Sequence, residues 1–384
     1  MFGKRKFFNF KTYQQQTNLK KRVPSSIIFC FLCVILLILS WLSDPLSMST
    51  TSASSSWLTF LNPTTARQIV PYMSALFLIF CSLIPFQIVY ELTRGCFMHI
   101  WTRSRYLVLV ILVLFGSTVC NFIYLPLIYW GVQVQTQTNE IKFISPMLFL
   151  TVSLVMNFVV FIVSKIIINS DYANSKFNKR MFPIAMLLIS SFILFLEYIG
   201  INHTWSSLFL LLAIPVLSDL FAYLGGSIFG KHKISPTISP KKSWEGFFIG
   251  VILAFTVTMA FVYALSLYHP HNQTTFSPVN LFFGFSLGNK SAITPTHLYW
   301  WLCLGLLILI LCLVSVGGDL FFSLVKRRNF IKDYSQFFSG HGGILDRIDS
   351  TVCVVWVYGL FTVVSSIITG LIEPNNILVP CLMK

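Results

Sequence analysis

Charged residues are scarce in this sequence of 384 residues. They make up only 10% of the chain, whereas 55% of its residues are hydrophobic and the mean hydropathy is +0.77. A soluble globular chain carries roughly 25% charged residues, so this chain has too little polar surface to face water on all sides. The scarcity excludes an ordinary soluble domain and indicates an integral membrane protein.

Cysteine is present, but the patterns that would give it a special role are missing. The nine cysteines lie mostly inside apolar runs, and none forms a paired CxxC spacing with a histidine nearby. That absence argues against a cysteine metal site and against a disulfide framework. The cysteines are therefore predicted to be small buried apolar residues.

Nine apolar segments are each long enough for a transmembrane helix, which needs about 20 residues. We predict an all-α, polytopic integral membrane protein with about nine transmembrane helices. The segments lie at about residues 25–43, 70–90, 106–130, 146–168, 181–201, 206–230, 246–268, 299–318 and 351–371.

Acidic residues are rarer than basic ones, with 12 Asp and Glu against 27 Lys and Arg, and the formal net charge is +15. Such an excess is typical either of a nucleic-acid surface or of the cytoplasmic loops of a membrane protein. With the N-terminus in the cytoplasm and the C-terminus outside, all but four of the basic residues fall on the cytoplasmic side; the exceptions are Arg67, Lys142, Lys290 and Lys384. The charge therefore predicts this topology, and we expect no nucleic-acid partner.

The acidic residues concentrate between the eighth and ninth predicted spans. If the eighth span continues as a helix, then Asp319, Ser323 and Lys326 share one face, because they are spaced i, i+4 and i+7. Asp346 and Asp349, spaced i, i+3, share a face just before the ninth span. Two helix ends would thus bring three carboxylates together. Oxygen ligands of this kind suit Mg²⁺, which is typically held by a few carboxylates together with substrate phosphates.

A glycine pair and several basic residues lie in the same segment. Gly342 and Gly343 follow His341 and precede a predicted helix start, where backbone can approach a phosphate closely. Basic side chains nearby would neutralise phosphate charge; they are Lys326, Arg327, Lys332 and Arg347. The alternative is a membrane-proximal basic loop with purely structural ion pairs.

Spacing favours the phosphate interpretation. The segment resembles the signature of the phosphatidate cytidylyltransferase (CDP-diacylglycerol synthase) family at each of that signature's fixed positions, which here are Ser323, Lys326, Arg327, Lys332, Asp333, His341, Gly342, Gly343, Asp346, Arg347 and Asp349. A second region, residues 229–246 with the preceding Ser218 and Asp219, is similar to the family's middle motif. Ser218 departs from the residues usual there, and Ser243 stands where threonine is common. The resemblance covers roughly residues 180–371.

The resemblance implies roles for individual residues. The catalytic set would be Asp319, Ser323, Lys326, Arg327, Lys332, Asp333, His341, Asp346, Arg347 and Asp349. The divalent metal would be held by Asp319, Asp346 and Asp349. The substrate-binding set would be Asp219, Lys241, Lys242, Gly342 and Gly343. Three of these keep a structural alternative: Asp219 as a paired charge within the helix bundle, and Lys241 and Lys242 as ordinary cytoplasmic lysines. His341 is open between acid–base chemistry, phosphate donation and a positional role, and phosphate donation is favoured.

The family also implies an activity. CTP and phosphatidate would give CDP-diacylglycerol and pyrophosphate for phospholipid biosynthesis, with Mg²⁺ and, near Ser323, a second monovalent cation such as K⁺. The enzyme would be a homodimer in contact with membrane lipid, multi-pass in the cell membrane, with its active site facing the cytoplasm. Residues 1–180 would form an N-terminal membrane region with a basic tail and about four spans. Residues 181–384 would form the catalytic region, with cytoplasmic motif loops at 230–246 and 319–350.

Two other functions remain open from the sequence. A CTP-dependent kinase would transfer the γ-phosphate to a polyprenol or another lipid alcohol. A cation-coupled transporter, which is a different class of protein, would use Asp219 and Asp319 as ion sites within the membrane.

Overall fold

The computed structural model consists almost entirely of long helices. It describes residues 27–40, 42, 63–96, 107–114, 116, 139–169, 175–202, 205–268, 298–335 and 342–372. In chain order the elements are α1 (Ile27–Ser40), α2 (Pro63–Cys96), α3 (residues 107–114), α4 (Asn139–Asn169), α5 (Lys176–Asn202), α6 (Trp205–Phe229), β1 (Lys233–Ser235), β2 (Ser239–Ser243), α7 (Trp244–Tyr268), α8 (Leu298–Arg328) and α9 (Leu345–Ile372).

Seven of the described helices contain a stretch long and apolar enough to cross a membrane. These stretches are Tyr72–Cys96, Thr151–Asn169, Lys176–Gly200, Trp205–Phe229, Trp244–Ala264, Trp301–Arg328 and Leu345–Ser365. They coincide with the second and the fourth to ninth predicted spans, so the predicted helical, multi-span architecture is confirmed. The first and third predicted spans, 25–43 and 106–130, fall on segments described only in part, and the count of nine stays a prediction.

Helix α5 forms the centre of the bundle. It packs against α2, α4, α6, α8 and α9, and 83% of its most apolar stretch is buried within the protein. Lipid chains are as apolar as the side chains themselves, so close packing rather than exclusion of water holds such helices together. At Gly200 the ring of Phe77 from α2 occupies the space that a Cβ would need. Phe195 fills the corresponding space at Gly359 of α9.

Helices α6 and α7 approach each other through small residues. A Cβ on Gly250 would lie 2.7 Å from Ala222 Cβ and 2.9 Å from Ala222 Cα. A Cβ on Gly246 would lie 2.8 Å from Gly226 Cα. Small residues allow membrane helices to pack backbone against backbone, and this contact aligns the C-terminus of α6 with the N-terminus of α7.

A two-stranded hairpin connects these two helices, and it is a small β element that the all-α prediction did not include. Strands β1 and β2 pair antiparallel, with Lys233 opposite Ser243 and Ser235 opposite Ser239. Glu245, in the first turn of α7, accepts hydrogen bonds from the backbone N–H of Lys231 (3.1 Å) and His232 (3.2 Å). The strands are short and polar, so the β-propensity of their residues is too weak to predict a strand from the sequence. The contacts of Glu245 join the start of the hairpin to α7.

Several helix ends meet at one end of the bundle. The Asn178 side chain of α5 donates to Asn329 Oδ1 beyond α8 (2.5 Å) and to the carbonyl of Cys96 in α2 (3.4 Å). The hairpin and the start of α9 lie at the same end, because both contact residues of α8. The polar segments that the sequence assigned to one side of the membrane therefore gather in one place.

Close packing of α6 and α7 makes Gly250 sensitive to volume. We expect Gly250→Val to destabilise the protein by about 1–3 kcal/mol, because the nearest atoms belong partly to the backbone and have little room to move. Thermal unfolding of the detergent-solubilised protein measures the effect. Gly317→Ala is the control, because a Cβ there would meet no atom within 4 Å in the described part of the chain. Equal stability of both variants would contradict the proposed packing.

Candidate active site

The polar face predicted for the end of α8 is present. The helix continues to Arg328, and Ser323 Oγ donates a hydrogen bond of 3.1 Å to Asp319 Oδ1, one turn earlier. Lys326 follows on the same face and reaches towards α9. The continuation of the helix beyond the apolar stretch, on which the prediction depended, is confirmed.

Lys326 joins the two aspartates at the start of α9. Its Nζ lies 2.9 Å from Asp346 Oδ1 and 3.6 Å from Asp349 Oδ2. The side chain of Lys326 is 11% exposed, and those of Asp346 and Asp349 are 6% and 9% exposed. Buried charges of opposite sign attract strongly only when the geometry is good and their other hydrogen bonds are satisfied. The two carboxylates, which are spaced i, i+3, thus share one ammonium group, that of Lys326.

The second oxygen of Asp346 anchors the backbone around it. Asp346 Oδ2 accepts hydrogen bonds from the N–H groups of Gly343 (2.9 Å) and Tyr334 (2.8 Å). The hydrogen bond from Gly343 to Asp346, three residues later, resembles that of a capping box, in which a side chain accepts a free N–H at the start of a helix. Gly342 has φ of 84°, and a Cβ there would lie 2.8 Å from Asp346 Oδ2. Here Gly342 makes room for a carboxylate of the protein itself.

The hairpin attaches to α8 at two points. Lys242 of β2 forms an ion pair with Asp319 Oδ2. Arg327 Nε donates a hydrogen bond of 3.2 Å to the carbonyl oxygen of Ile238, which lies in the turn between the strands. The two motif regions, which are far apart in the sequence, therefore meet at the end of α8.

Asp219 of α6 completes the cluster. It interacts electrostatically with Lys242 and Asp319, and Asp349 interacts with both Asp319 and Lys326. Carboxylates from three helices and ammonium groups from α8 and the hairpin thus form one charged centre beside the apolar stretches of the bundle. The centre contains four carboxylates, those of Asp219, Asp319, Asp346 and Asp349, and two ammonium groups, those of Lys242 and Lys326.

The donor set is suited to a hard divalent cation, although the acids are not arranged as a ready-made site. Among the described residues, no group of three His, Cys, Asp or Glu side chains has the placement of a metal site. However, Asp346 and Asp349 lie close enough to share the Lys326 ammonium, and their oxygens are the ligands that Mg²⁺ prefers. Asp319 is engaged by Lys242 instead.

The structure describes some of the other predicted site residues and leaves others outside its described part. Lys332 and Asp333 are exposed in the connection after α8, and Arg347 is half-buried in the first turn of α9. Gly343 donates its N–H to Asp346 rather than leaving it free for a phosphate. The backbone of Lys241 lies in β2, but its side chain and the whole of His341 are outside the described residues.

Two residues that the sequence did not single out contribute to the site. Tyr334 donates its hydroxyl to the carbonyl of Phe322 (3.2 Å), and its ring centroid lies 5.5 Å from Lys326 Nζ. Burial raises the pKa of the Tyr334 hydroxyl well above its ordinary value, so this group stays neutral. Glu91 of α2 accepts the N–H groups of Ile344 and Leu345 beside the site. Glu91 could have been identified from the sequence, because an acidic residue directly after an apolar stretch is unusual in a membrane protein and often functional.

The fold and the charged centre together define a helical membrane protein with a carboxylate–lysine site at one end of its bundle. A comparison with known families matches residues 118–365 to the family described as "Cytidylyltransferase family". The match covers more than half of the chain, and the protein belongs to the cytidylyltransferase family.

Individual relatives share the central part of the sequence. A Mycoplasma pneumoniae protein named as a candidate phosphatidate cytidylyltransferase is 34% identical over 200 residues, which is 47% of this chain and 50% of that protein. The phosphatidate cytidylyltransferase of Haemophilus influenzae is 35% identical over 163 residues, 42% of this chain and 48% of that protein. Phosphatidate cytidylyltransferase 4, chloroplastic, of Arabidopsis thaliana is 35% identical over 137 residues, 36% of this chain and 27% of that protein. The chain thus spans about half the length of the first two.

Removing the shared cation tests the buried centre. We expect Lys326→Met to destabilise the protein by about 3–5 kcal/mol, because Asp346 and Asp349 would remain buried without their common partner. Chemical denaturation in detergent measures the change. Lys332→Met removes an exposed lysine from the same segment and should leave stability within about 0.5 kcal/mol. A similar small effect of both changes would show that the Lys326 contacts do not stabilise the fold.

Proposed function

We propose that this protein is a phosphatidate cytidylyltransferase, which converts CTP and phosphatidate to CDP-diacylglycerol and pyrophosphate in phospholipid biosynthesis. The observation that carries the proposal is the buried centre in which Lys326 joins Asp346 and Asp349, within a chain of the cytidylyltransferase family. The names of the relatives support the choice of substrates.

The proposed reaction is one in-line displacement. A phosphate oxygen of phosphatidate attacks the α-phosphorus of CTP, a new P–O bond forms, and the bond to the β-phosphate breaks. Pyrophosphate leaves with that electron pair. A phosphate monoester is already anionic near neutral pH, so the attacking oxygen needs no general base. For this reason His341 is proposed to donate to a phosphate rather than to remove a proton.

The residues of the chain contribute position and charge. The ammonium groups of Lys242 and Lys326 contact carboxylates of the centre. When a substrate phosphate enters, its oxygens would replace those carboxylates as the partners of the two ammonium groups. Arg327 holds the hairpin against α8 and thereby keeps Lys242 at the site. Fixed cations aimed at the developing charge lower the barrier because they need little reorganisation during the reaction.

Asp319, Asp346 and Asp349 are the proposed ligands of Mg²⁺, with a monovalent cation such as K⁺ near Ser323. When bound, Mg²⁺ would neutralise charge on phosphate oxygens of the nucleotide. The shared contact of Asp346 and Asp349 with one ammonium supports this assignment, because it brings oxygens from both side chains to a single cation.

We further propose that the protein is multi-pass in the cell membrane, with the site facing the cytoplasm, and that it forms a homodimer. The gathering of basic helix ends and the hairpin at one end of the bundle supports the orientation. A site at that end would meet lipid phosphate at headgroup level and CTP from the aqueous side. The homodimer rests on the family resemblance.

Labelled CTP separates the possible functions. The purified protein in detergent with phosphatidate and Mg²⁺ should transfer label from the α-phosphate of CTP into lipid. Label from the γ-phosphate in lipid would indicate a lipid kinase instead. Absence of both transfers, with a folded protein, would refute the proposal and leave the cation-coupled transporter to be tested by ion flux in vesicles.

Asp349 links the activity to the charged centre. We expect Asp349→Asn to lower the rate of cytidylyl transfer by at least about 100-fold, since the amide keeps the shape but loses the charge that binds a cation. Thr362→Val is the control: it removes a buried hydroxyl from α9 that donates to Gly359 O within the same helix (3.0 Å). Full activity of Asp349→Asn would exclude this residue as a metal ligand.

A further inference from the structure

We infer that Glu91 of α2 is a positioning residue for the active site: it fixes the backbone at the start of α9 and thereby the orientation of Asp346. Glu91 lies in the region that the sequence assigned to the N-terminal membrane part, outside the catalytic part. The inference rests on the proposed function for its kinetic consequences, whereas its structural consequence can be measured separately.

The carboxylate of Glu91 is fully buried, and both of its oxygens accept hydrogen bonds. Oε1 accepts from Ser335 Oγ (2.8 Å), from the N–H of Ile344 (3.0 Å) and from Gln87 Nε2 (2.8 Å). Oε2 accepts from the N–H of Leu345 (2.7 Å). A buried carboxylate is costly unless it is hydrogen-bonded, and four donors together with the positive end of a helix compensate for that cost.

These contacts hold both ends of the connection between α8 and α9. Ser335 lies on the α8 side of that connection, whereas Ile344 and Leu345 lie at the start of α9. One side chain from α2 therefore joins the part of the connection that follows α8 to the start of α9.

Asp346 depends on the same stretch of backbone. Its Oδ2 accepts the N–H of Gly343, and Ile344 and Leu345, the next two residues, donate to Glu91. If the bonds to Glu91 are lost, the Gly343–Leu345 backbone can rotate and Asp346 loses its fixed position beside Lys326. Glu91 thus accepts the N–H groups of Ile344 and Leu345, and Asp346 accepts that of Gly343, at the point where α9 begins.

Gly343 provides an independent sign of this arrangement. A Cβ at this position would overlap with both oxygens of the Glu91 carboxylate. Glycine is therefore needed here for the close approach of Glu91, and any side chain would push the carboxylate away from Ile344 and Leu345.

Glu91→Gln tests the inference, because it keeps the size of the side chain but replaces one acceptor oxygen with an amide donor. We expect amide hydrogen exchange in residues 342–349 of the purified protein, without added ligand, to become at least about tenfold faster. In the transfer assay, the half-saturating Mg²⁺ concentration should rise about 10–100-fold, as it does when a residue that orients metal ligands is changed. The KM for CTP should change less than about twofold.

The matched control is Thr93→Val. Thr93 is buried on the same helix, and its hydroxyl donates a hydrogen bond to Val89 O (2.6 Å), so the change removes a buried hydrogen bond within α2 itself. Both the exchange rate and the Mg²⁺ dependence should stay at their wild-type values. If Glu91→Gln lowers only the maximum rate, then the folded fraction has fallen and the positioning role is refuted, because loss of folded protein does not change a half-saturating concentration.

Two further outcomes are decisive. If Glu91→Gln does not fold, Gly343→Ala should give the faster exchange and the raised Mg²⁺ requirement by displacing Glu91; wild-type behaviour of Gly343→Ala would overturn the inference. If the wild-type protein transfers no cytidylyl group, the proposed function fails, and the exchange experiment alone decides whether Glu91 fixes the start of α9.

Discussion

The contact between one lysine and two aspartates determines how the active end of this protein is built. Lys326 can reach Asp346 and Asp349 only under two conditions: α8 continues beyond its apolar stretch, and the first turn of α9 faces α8. Charges so deeply buried tolerate little displacement, because an unpaired ion in this environment is strongly unfavourable. The packing of the bundle and the connection between the two helices must therefore satisfy this one geometry.

The surrounding elements supply that geometry in different ways. Small residues bring α6 and α7 together and so place the hairpin between them, and Lys242 of that hairpin pairs with Asp319. Glu91 of α2 binds the backbone at the start of α9. Helix α2, which precedes the residues matched to the family, thus contacts the start of α9, so this N-terminal helix does more than anchor the chain.

Much of the site could be predicted from helical spacing. The faces shared by Asp319, Ser323 and Lys326, and by Asp346 and Asp349, are visible in the sequence because 3.6 residues per turn fixes neighbours within a helix. The glycines were harder to interpret. Their small size predicted a close approach of phosphate, whereas in the structure it allows the approach of two carboxylates, those of Asp346 and Glu91. A sequence shows that space is needed, but it does not show which group fills it.

The sequence by itself determined the helical membrane architecture, the polar face of α8 and the pair of acids that opens α9. Each of these follows from periodicity and composition within one segment, where backbone geometry alone sets which residues are neighbours. Only the tertiary structure decided that Lys326 would serve both acids, that the hairpin would deliver Lys242 to Asp319, and that Glu91 would hold the start of α9. These contacts join segments that are distant in the chain, and their formation depends on how the helices pack against one another rather than on any local preference.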